Sequence, residues 1–404
     1  MSWKNQELGE LTLYVKRGVS PKYVLENGIP IVNQRCIREN TINFDTTRLS
    51  SKEKKITDVK FLQIGDTVIN STGVGTLGRT AYVKKLEQPS SADTHVTIVR
   101  PDKTKVDSKF LSLYLNSKED VIENMGKGAT GQTELSAKDL SKHEVYYPSS
   151  LQTQKRIADI LSSYDDLIEN NLKRIKLLEQ AAQNIYKEWF VNLRFPGHKN
   201  EVINEETGLP EGWELKRSDE VFKINIGKTP PRKEPEWFSF EKGYKWISIS
   251  DMNKSIVFIQ KTKERITDEG VNKFNVKIVP KGTVLLSFKL TIGSVVIVTE
   301  DMVTNEAIAH FNINEATSLS TEYTYCFLTC FPYKTLGSTS SIGQALNSKI
   351  VKSIPVLVPQ LDLVNLFTKN VNPIFKQLEN LVTQNQKLKA SRDILLPRLM
   401  NRTI

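Results

Sequence analysis

An internal repeat constrains the fold of this chain more than any other feature of its sequence. Trp3 is followed by the segment Gly18-Val19-Ser20-Pro21, and about 210 residues later Trp213 is followed by Gly227-Lys228-Thr229-Pro230. Further matching segments occur in the same order: Gly28–Asn33 with Gly243–Ser248, Asp66–Ser71 with Gly282–Ser287, Gly78 with Gly293, and Gly131-Gln132 with Gly343-Gln344. Because one order is kept throughout, the repeat predicts two halves of similar structure.

Each half changes its periodicity part of the way along. The first part contains short runs of Val, Ile, Phe and Tyr between Gly, Pro, Asn and Asp, which is typical of β-strands. Apolar residues then recur alternately four and three positions apart, as in the seam of a coiled coil. The seam positions include Ile157, Leu161, Ile168, Ile175, Leu178 and Ile185 in the first half, and Phe367, Ile374, Leu378, Leu381, Leu388 and Leu395 in the second.

The repeat and the seams together predict an α+β protein with a pseudo-two-fold internal repeat. Two mostly-β domains are expected to be separated by an antiparallel two-helix coiled coil, because the ends of a domain usually lie close together and return the second helix beside the first. An alternative is that each helix packs on its own β domain. The predicted segments are 1–149 and 213–358 for the β domains, 150–192 and 359–404 for the helices, and 193–212 for a polar linker.

Three positions of the predicted seams hold polar side chains. Asn171 and Asn385 are interpreted either as contacts that fix the register of the helices, or as tolerated positions that face water or a partner protein. Arg392 is predicted to reach out of the bundle or towards an acidic group of a partner.

The charge balance favours a polyanionic partner, since the 404 residues carry a formal net charge of +10. Cys36, Cys326 and Cys330 and the four histidines are too scattered for a metal site, so buried thiols in a reducing compartment are expected. No apolar stretch is long enough to span a bilayer, and the N-terminus does not resemble a signal peptide. These features predict a cytoplasmic protein that does not interact with a membrane.

One segment matches a cofactor-binding motif. Gly73–Gly78 fits the pattern G-x-G-x-x-G of dinucleotide-binding folds, but that function needs a helix directly after the turn. Arg79–Lys85 has the pattern of another strand, so a tight β turn without a bound cofactor is predicted. The sequence contains neither a Walker loop nor the Asn/Asp-Pro-Pro-aromatic loop needed for adenine methylation, and no catalytic residue is predicted.

The ordered motifs resemble those of type I restriction enzyme specificity subunits over essentially the whole chain. The segments that carry the resemblance are Trp3 and Trp213, Gly18–Pro21 and Gly227–Pro230, Glu236–Phe238 before Trp246-Ile247, Gly75–Arg79, and the linker end Leu209–Trp213. The family's usual start of the spacer helix, Pro-Pro-Leu-x-Glu-Gln, is altered in both halves. Thr153 replaces Glu before Gln154, and the second copy, Pro359–Val364, lacks that Gln.

The resemblance implies a non-catalytic subunit that chooses the DNA sequence for a restriction-modification complex. Two target recognition domains would read two separated half-sites of double-stranded DNA. Residues Ile157–Trp189 are expected to span roughly 48 Å, which corresponds to an unread spacer of about 14 base pairs. The implied partners are two methyltransferase (M) subunits that carry S-adenosylmethionine and methylate adenine, and restriction/translocase (R) subunits that cleave DNA.

Candidate DNA-contacting residues flank the recurring segments. Arg suits guanine edges, Asn and Gln suit adenine edges, and both Arg and Lys bind phosphates. The candidates are Arg17, Ser20, Lys22, Asn33, Gln34, Arg35, Arg38, Thr72 and Arg79 in the first half, and Lys228, Thr229, Arg232, Lys233, Ser248, Ser250, Asp251, Asn253 and Lys289 in the second.

Two other functions are consistent with parts of the sequence. A nucleotide-dependent enzyme would use the Gly73–Gly78 motif and would need a βαβ unit at residues 61–100. A coiled-coil scaffold with protein-binding β domains would have interactions that are insensitive to DNA.

Overall fold

Two units, each with its own hydrophobic core, make up the computed structural model of the chain. One unit contains Met1–Ile168 and Lys387–Ile404, and the other contains Glu169–Gln386. The structure describes residues 2–38, 40–128, 133–313, 317–336 and 346–400, so the repeated Gly-Gln pairs at 131–132 and 343–344 lie outside the described residues. Both units combine sheets with helices, which confirms the predicted α+β class.

The strands of the first unit are β1 (Trp3–Glu7), β2 (Thr12–Arg17), β3 (Tyr23–Val24), β4 (Ile29–Val32), β5 (Ile37–Arg38), β6 (Thr41–Ile42), β7 (Arg48–Ser50), β8 (Thr67–Asn70), β9 (Thr80–Tyr82), β10 (Ser91–Ala92), β11 (Val96–Pro101) and β12 (Glu144–Pro148). Its short helices are α1 (Ser108–Asn116), α2 (Glu119–Asn124) and α3 (Ala137–Ser141). The strands form two four-stranded sheets, β2-β11-β8-β9 and β10-β4-β7-β3, and the pairs β1-β12 and β5-β6.

Strand β11 is the centre of the first unit because both of its faces are covered. All of its residues, Val96–Pro101, are buried. Successive side chains of a strand point to opposite faces, and Val99 therefore packs in one cluster with Phe110 of α1, whereas Ile98 packs in another with Cys36. The β-branched Val and Ile residues suit this pleated, doubly covered position.

The second unit repeats this order of elements. Its strands are β13 (Glu214–Arg217), β14 (Lys223–Ile226), β15 (Phe238–Ser239), β16 (Tyr244–Ile247), β17 (Phe258–Ile259), β18 (Glu264–Ile266), β19 (Val284–Ser287), β20 (Val295–Val298), β21 (Val303–Thr304), β22 (Ile308–Asn312) and β23 (Pro355–Val358).

The long helices, parts of which belong to each unit, are α4 (Leu151–Tyr186), which continues into a π-helical turn at Lys187–Val191, and α10 (Leu361–Met400). The short helices are α5 (Ser218–Val221), α6 (Ile249–Lys254), α7 (Asp268–Lys273), α8 (Thr321–Cys330) and α9 (Ser348–Lys352).

The sheets of the two units have the same strand order, as the sequence repeat predicts. The order β14-β22-β19-β20, with β17 added at its edge, reproduces β2-β11-β8-β9. The order β21-β16-β18-β15 reproduces β10-β4-β7-β3, and β13-β23 reproduces β1-β12. The repeat in the sequence is therefore a repeat of the fold.

The strand register corrects one alignment of the repeat by a single residue. Asn70 pairs with Val96, and Ser287 pairs with Ile308 at the equivalent place in the second copy. This register makes Gly65 the counterpart of Gly282, whereas the sequence motifs had matched Asp66 with it. Gly65 and Gly282 both have positive φ values, 103° and 86°, which glycine adopts without a steric penalty.

In the second unit, α4 and α10 form an antiparallel pair. Tyr186 of α4 lies against Phe367 near the start of α10, with ring centroids 6.3 Å apart, whereas the earlier Asn171 meets the later Asn385. Asn171 Nδ2 donates to Asn385 Oδ1 over 2.9 Å, and both residues are buried. The two side chains therefore satisfy each other inside the seam, which supports the register-fixing interpretation over the water-facing one.

In the first unit, the same helices pack through Ile157 and Leu161 of α4 and Met400 of α10, which share one buried cluster. Arg392 Nη1 lies 2.6 Å from Asp165 Oδ1 on the facing helix. The prediction that Arg392 reaches out of the bundle or towards a partner was therefore wrong. A sequence does not reveal that the acid of this pair comes from the same chain, because 227 positions separate the two residues.

The start of α4 is fixed by Gln154. Its Nε2 donates to the Pro148 carbonyl oxygen over 2.7 Å, and its Oε1 accepts from the Asp107 amide over 2.7 Å. Gln154 is fully buried, so this side chain joins β12, α1 and α4 within the fold. Val364, which occupies the matching position of α10, is also buried but packs among apolar side chains.

The asparagine pair predicts a specific pattern of stabilities. Asn171→Leu leaves the Asn385 amide buried without this partner, so we expect a loss of about 1–3 kcal/mol in the free energy of unfolding. The double substitution Asn171→Leu/Asn385→Leu removes both amides and is expected to recover most of that loss, as urea-induced unfolding followed by circular dichroism would measure. A double variant that is no more stable than the single variant would contradict the coupling.

Candidate nucleic-acid interface

Loops that follow or precede neighbouring strands converge at one edge of the first unit. Strands β2 and β8 both pair antiparallel with β11, so their carboxyl ends lie beside its amino end. A backbone bond joins the second sheet to this edge, and a further bond within that sheet continues the connection to the end of β4. The Val19 amide donates to the Ala92 carbonyl over 2.7 Å, and the Asp93 amide donates to the Val32 carbonyl over 2.9 Å.

Gln34, Thr72 and His95 form a polar network at this edge. Gln34 Nε2 donates to the Thr72 carbonyl oxygen over 3.0 Å and also to the Thr72 hydroxyl. That hydroxyl lies 2.9 Å from His95 Nδ1. Asp93 accepts from the His95 amide, and burial raises the pKa of its carboxyl. The network ties the loop after β4 to the loop after β8.

The glycine motif Gly73–Gly78 is a turn between two antiparallel strands, as predicted. Gly73, Gly75 and Gly78 all have positive φ values, and β8 and β9 pair on either side of the turn. Arg79 folds back on it, with Nη2 2.6 Å from the Gly75 carbonyl oxygen. Residues 61–100 contain strands β8 to β11 and no α-helix, which contradicts the βαβ unit that a nucleotide-dependent enzyme would need.

The cationic candidates of the first unit differ in the contacts that they make within the chain. Arg17 forms an ion pair with Glu134 and donates to the Leu135 carbonyl over 2.7 Å. Lys22 lies 3.4 Å from Glu53, with both side chains mostly exposed. Arg35 and Arg38 are exposed, and their guanidinium groups form no ion pair within the described part of the chain.

The remaining candidates of the first unit also divide into two groups. Asn33 is buried, and its Oδ1 accepts from the Arg35 amide over 2.9 Å, so it caps the short 3-10 helix Gln34–Cys36. Ser20 is exposed next to the bridge between Val19 and Asp93. Ser20 is thus accessible to a ligand, whereas the Asn33 side chain is buried within its own domain.

The second unit has an equivalent edge with a different chemistry. Ser248 and Asp251 form a capping box at the start of α6, with Ser248 Oγ donating to Asp251 Oδ2 over 2.7 Å. Asn253, further along α6, donates to the Thr291 hydroxyl over 3.3 Å in the turn between β19 and β20. Ser250 and Asn253 are exposed, whereas Asp251 is buried.

The cationic candidates of the second unit are also divided. Arg232 lies over the rings of Phe238 and Trp246, 4.2 and 4.3 Å from their centroids, and pairs with Glu264 over 2.7 Å. Lys228 and Thr229 contact their own unit: Lys228 Nζ donates to the Phe274 carbonyl over 2.7 Å, and the Thr229 hydroxyl donates to Glu306. Lys233 and Lys289 are exposed.

The recurring glycines Gly18 and Gly227 allow two backbones to cross closely at each edge. A Cβ at Gly18 would overlap the Ala92 carbonyl, and one at Gly227 would overlap Thr304. The Thr304 hydroxyl lies 2.7 Å from His310 Nε2. Burial lowers the pKa of His310 to about 4, so its imidazole is neutral at pH 7 and this contact is uncharged.

Within the described residues, no group of three or more His, Cys, Asp or Glu side chains is arranged to hold a metal ion. Cys36 and Cys326 are buried as predicted, Cys330 is half-buried, and all three are free thiols. In the part of the chain that the structure describes, no helix has the length and apolarity needed to cross a membrane.

Sequence reasoning missed three residues of these edges: His95, Glu134 and Thr291. His95 directly precedes the buried strand β11, so a polar residue at the entrance of an apolar run was a usable signal. Glu134 had no such signal, because it reaches Arg17 across 117 positions. Thr291 lies in the turn of the second unit that corresponds to the glycine turn of the first. Because that turn has lost most of the glycines, the sequence did not reveal that the two turns are equivalent.

Known proteins share this sequence pattern and this fold. A family model described as the type I restriction modification DNA specificity domain matches residues 2–180 and 210–390. The HindI specificity subunit of a type I restriction enzyme from Haemophilus influenzae is 24% identical, with 99% of each chain covered. The MjaIX specificity subunit from Methanocaldococcus jannaschii is 26% identical, covering 79% of this chain and 74% of that protein.

A solved structure supports the fold. The crystal structure of a type I restriction-modification S subunit from M. genitalium superposes with a TM-score of 0.59 at 16% identity, covering 99% of this chain and 96% of that one. The resemblance inferred from the sequence motifs is confirmed by the family model, and the fold is confirmed by this structure.

The backbone crossing at Gly18 predicts a strong effect of one methyl group. Gly18→Ala is expected to lower the free energy of unfolding by about 3 kcal/mol, since the added Cβ forces the two backbones apart. Gly75→Ala is the control, because its Cβ would enter open space and cost only the left-handed backbone penalty of about 1–2 kcal/mol. Equal urea midpoints for the two variants would refute the role assigned to the crossing.

Proposed function

The chain belongs to the type I restriction modification DNA specificity family, and we propose that it chooses the target sequence of a restriction-modification complex by reading a bipartite site in duplex DNA. The observation that carries this proposal is the repeated edge. Two copies of one fold present segments at corresponding places, at 33–38 and 72–79 in one copy and at 248–253 and 288–293 in the other. Each copy reads one half-site.

The DNA contacts in this proposal are a subset of the exposed candidates: Ser20, Arg35 and Arg38 in the first copy, and Lys233, Ser250, Asn253 and Lys289 in the second. Arg17, Asn33, Arg232, Ser248 and Asp251 instead satisfy bonds of their own domain and hold the loops in place. A rigid loop loses less conformational entropy when it binds, so this division of roles favours precise readout.

Two different half-sites follow from the different side chains on the two edges. The first edge offers two guanidinium groups, which suit guanine or phosphate, and the second offers an amide and two lysines. Because each edge belongs to a separately packed domain, a change in one edge should leave the readout of the other unaffected. Which bases each edge recognises depends on how that edge docks on the DNA, and not on residue type alone.

The partners in this proposal are two methyltransferase subunits and restriction/translocase subunits. Aliphatic side chains remain exposed on the long helices although the seam is already filled: Leu167 is 51% exposed and Leu177 66% on α4, and Ile394 is 55% exposed on α10. We assign exposed positions of the long helices to contact with the methyltransferase subunits, which would bring S-adenosylmethionine and the methylating centre. The chain itself acts without a catalytic residue.

The proposal predicts how salt affects DNA binding. Arg35→Ala and Arg38→Ala are expected to reduce the slope of log K against log salt by about 1 each if the guanidinium groups bind phosphates. Duplex binding by the complex of the chain with its methyltransferase subunits would be measured over a range of salt concentrations. Lys103→Ala is the matched control, because Lys103 is exposed beyond the carboxyl end of β11, away from the edge.

An unchanged slope for both arginine variants would remove the first edge from the DNA-binding surface. A change of affinity without a change of slope, confined to one position of the target, would identify the arginine as a base reader instead.

A further inference from the structure

Each candidate edge carries an exposed aliphatic side chain at the tip of a turn. Val74 is 78% exposed in the turn between β8 and β9, and Leu290 is 85% exposed in the turn between β19 and β20. Single exposed aliphatic residues are common on protein surfaces and need no explanation. The position of these two in the repeat sets them apart.

Val74 and Leu290 occupy the same place although their turns differ in length. The first turn is closed by a bond from the Gly78 amide to the Asn70 carbonyl over 2.9 Å, and the second by the matching bond from Gly293 to Ser287 over 3.0 Å. Val74 is the middle residue of 71–77, and Leu290 is the middle residue of 288–292. An aliphatic apex is therefore retained where the surrounding sequence and length are not.

Each turn is bonded to an amide side chain of its own domain. Gln34, after β4, donates to Thr72 at the base of the first turn. Asn253, after β16, donates to Thr291 beside the apex of the second. Leu290 itself has a φ of 65°, in the left-handed region that residues with a Cβ rarely adopt. The turns thus hold the aliphatic tip outward instead of folding it into the core.

We propose that Val74 and Leu290 are specificity residues that enter the DNA at their half-sites and make apolar contact with the bases. This inference rests on the proposed function and adds two residues that no charge or hydrogen-bonding pattern identifies. The groove offers two apolar targets to such a tip: the thymine C5 methyl group on the floor of the major groove, and the faces of bases at an opened step. Lys289 beside Leu290 is exposed and can bind the adjacent phosphate.

The test compares Val74→Ser and Leu290→Ser with two matched controls. Leu25 is 97% exposed in the turn before β4, and Phe240 is 76% exposed in the equivalent turn before β16. Both turns lie at the opposite end of those strands from the candidate edge. Leu25→Ser and Phe240→Ser therefore remove an equally exposed apolar side chain from the same domains without touching the edge.

Binding of the complex with its methyltransferase subunits is measured by fluorescence anisotropy, on the duplex that the wild-type complex selects and on an unrelated duplex. Each tip variant is expected to bind the selected duplex about tenfold more weakly, the effect of losing one buried aliphatic side chain. Binding to the unrelated duplex, the melting temperature and both control variants should be unchanged.

Two further duplexes identify the apolar target. With uracil in place of thymine in one half-site, wild-type binding weakens and the matching tip variant shows no additional loss if the methyl group is contacted. With 2-aminopurine at successive steps, wild-type binding raises fluorescence at one step and the tip variant does not if the tip opens the stack. Either result supports the proposal.

Tip variants that bind the selected duplex as tightly as wild type, or controls that weaken it equally, would overturn the inference while leaving the proposed function intact. Failure of the proposed function looks different, because the wild-type complex would then select no sequence at all.

Discussion

The close approach of two backbones at Gly18, repeated at Gly227, is the contact on which each candidate interface depends. It joins the end of β2 to β10, and the end of β14 to β21, so that the two sheets of each domain meet at one edge. A side chain at Gly18 would separate the sheets of the first unit and displace the loops that carry Gln34 and Thr72. The recurring Gly-x-Ser/Thr-Pro motif therefore allows the two sheets of each domain to pack closely, and it supports function through this packing.

Much of the architecture could be predicted from the sequence because it depends on periodicity. The heptad spacing placed Ile157 and Phe367 in buried seams, and the absence of a helical pattern after Gly78 correctly predicted a turn between strands. These features are local, so a single sequence contains the information. The same reasoning predicted the repeated strand order through the order of short motifs, which a common fold imposes on both copies.

The use of individual side chains could not be predicted, because it depends on partners far away in the chain. Arg17 is a residue type that often contacts DNA, but here it forms an ion pair with Glu134. Arg392 forms an ion pair with Asp165 on the facing helix. Val74 was overlooked for the opposite reason: it has no polar group, and its meaning comes from its position at an apex that Leu290 shares. Charge and residue type select candidates, whereas tertiary contacts decide which of them stay accessible.

The central claim is that each copy reads its own half of a bipartite target. It is tested most directly by selecting bound sites from random duplex DNA with the methyltransferase complex of the wild-type chain, and of a chimaera whose residues 1–149 come from another family member. The account predicts two short blocks separated by an unread spacer, with one block replaced in the chimaera and the other unchanged. A single continuous site, or a chimaera in which both blocks change, would contradict it.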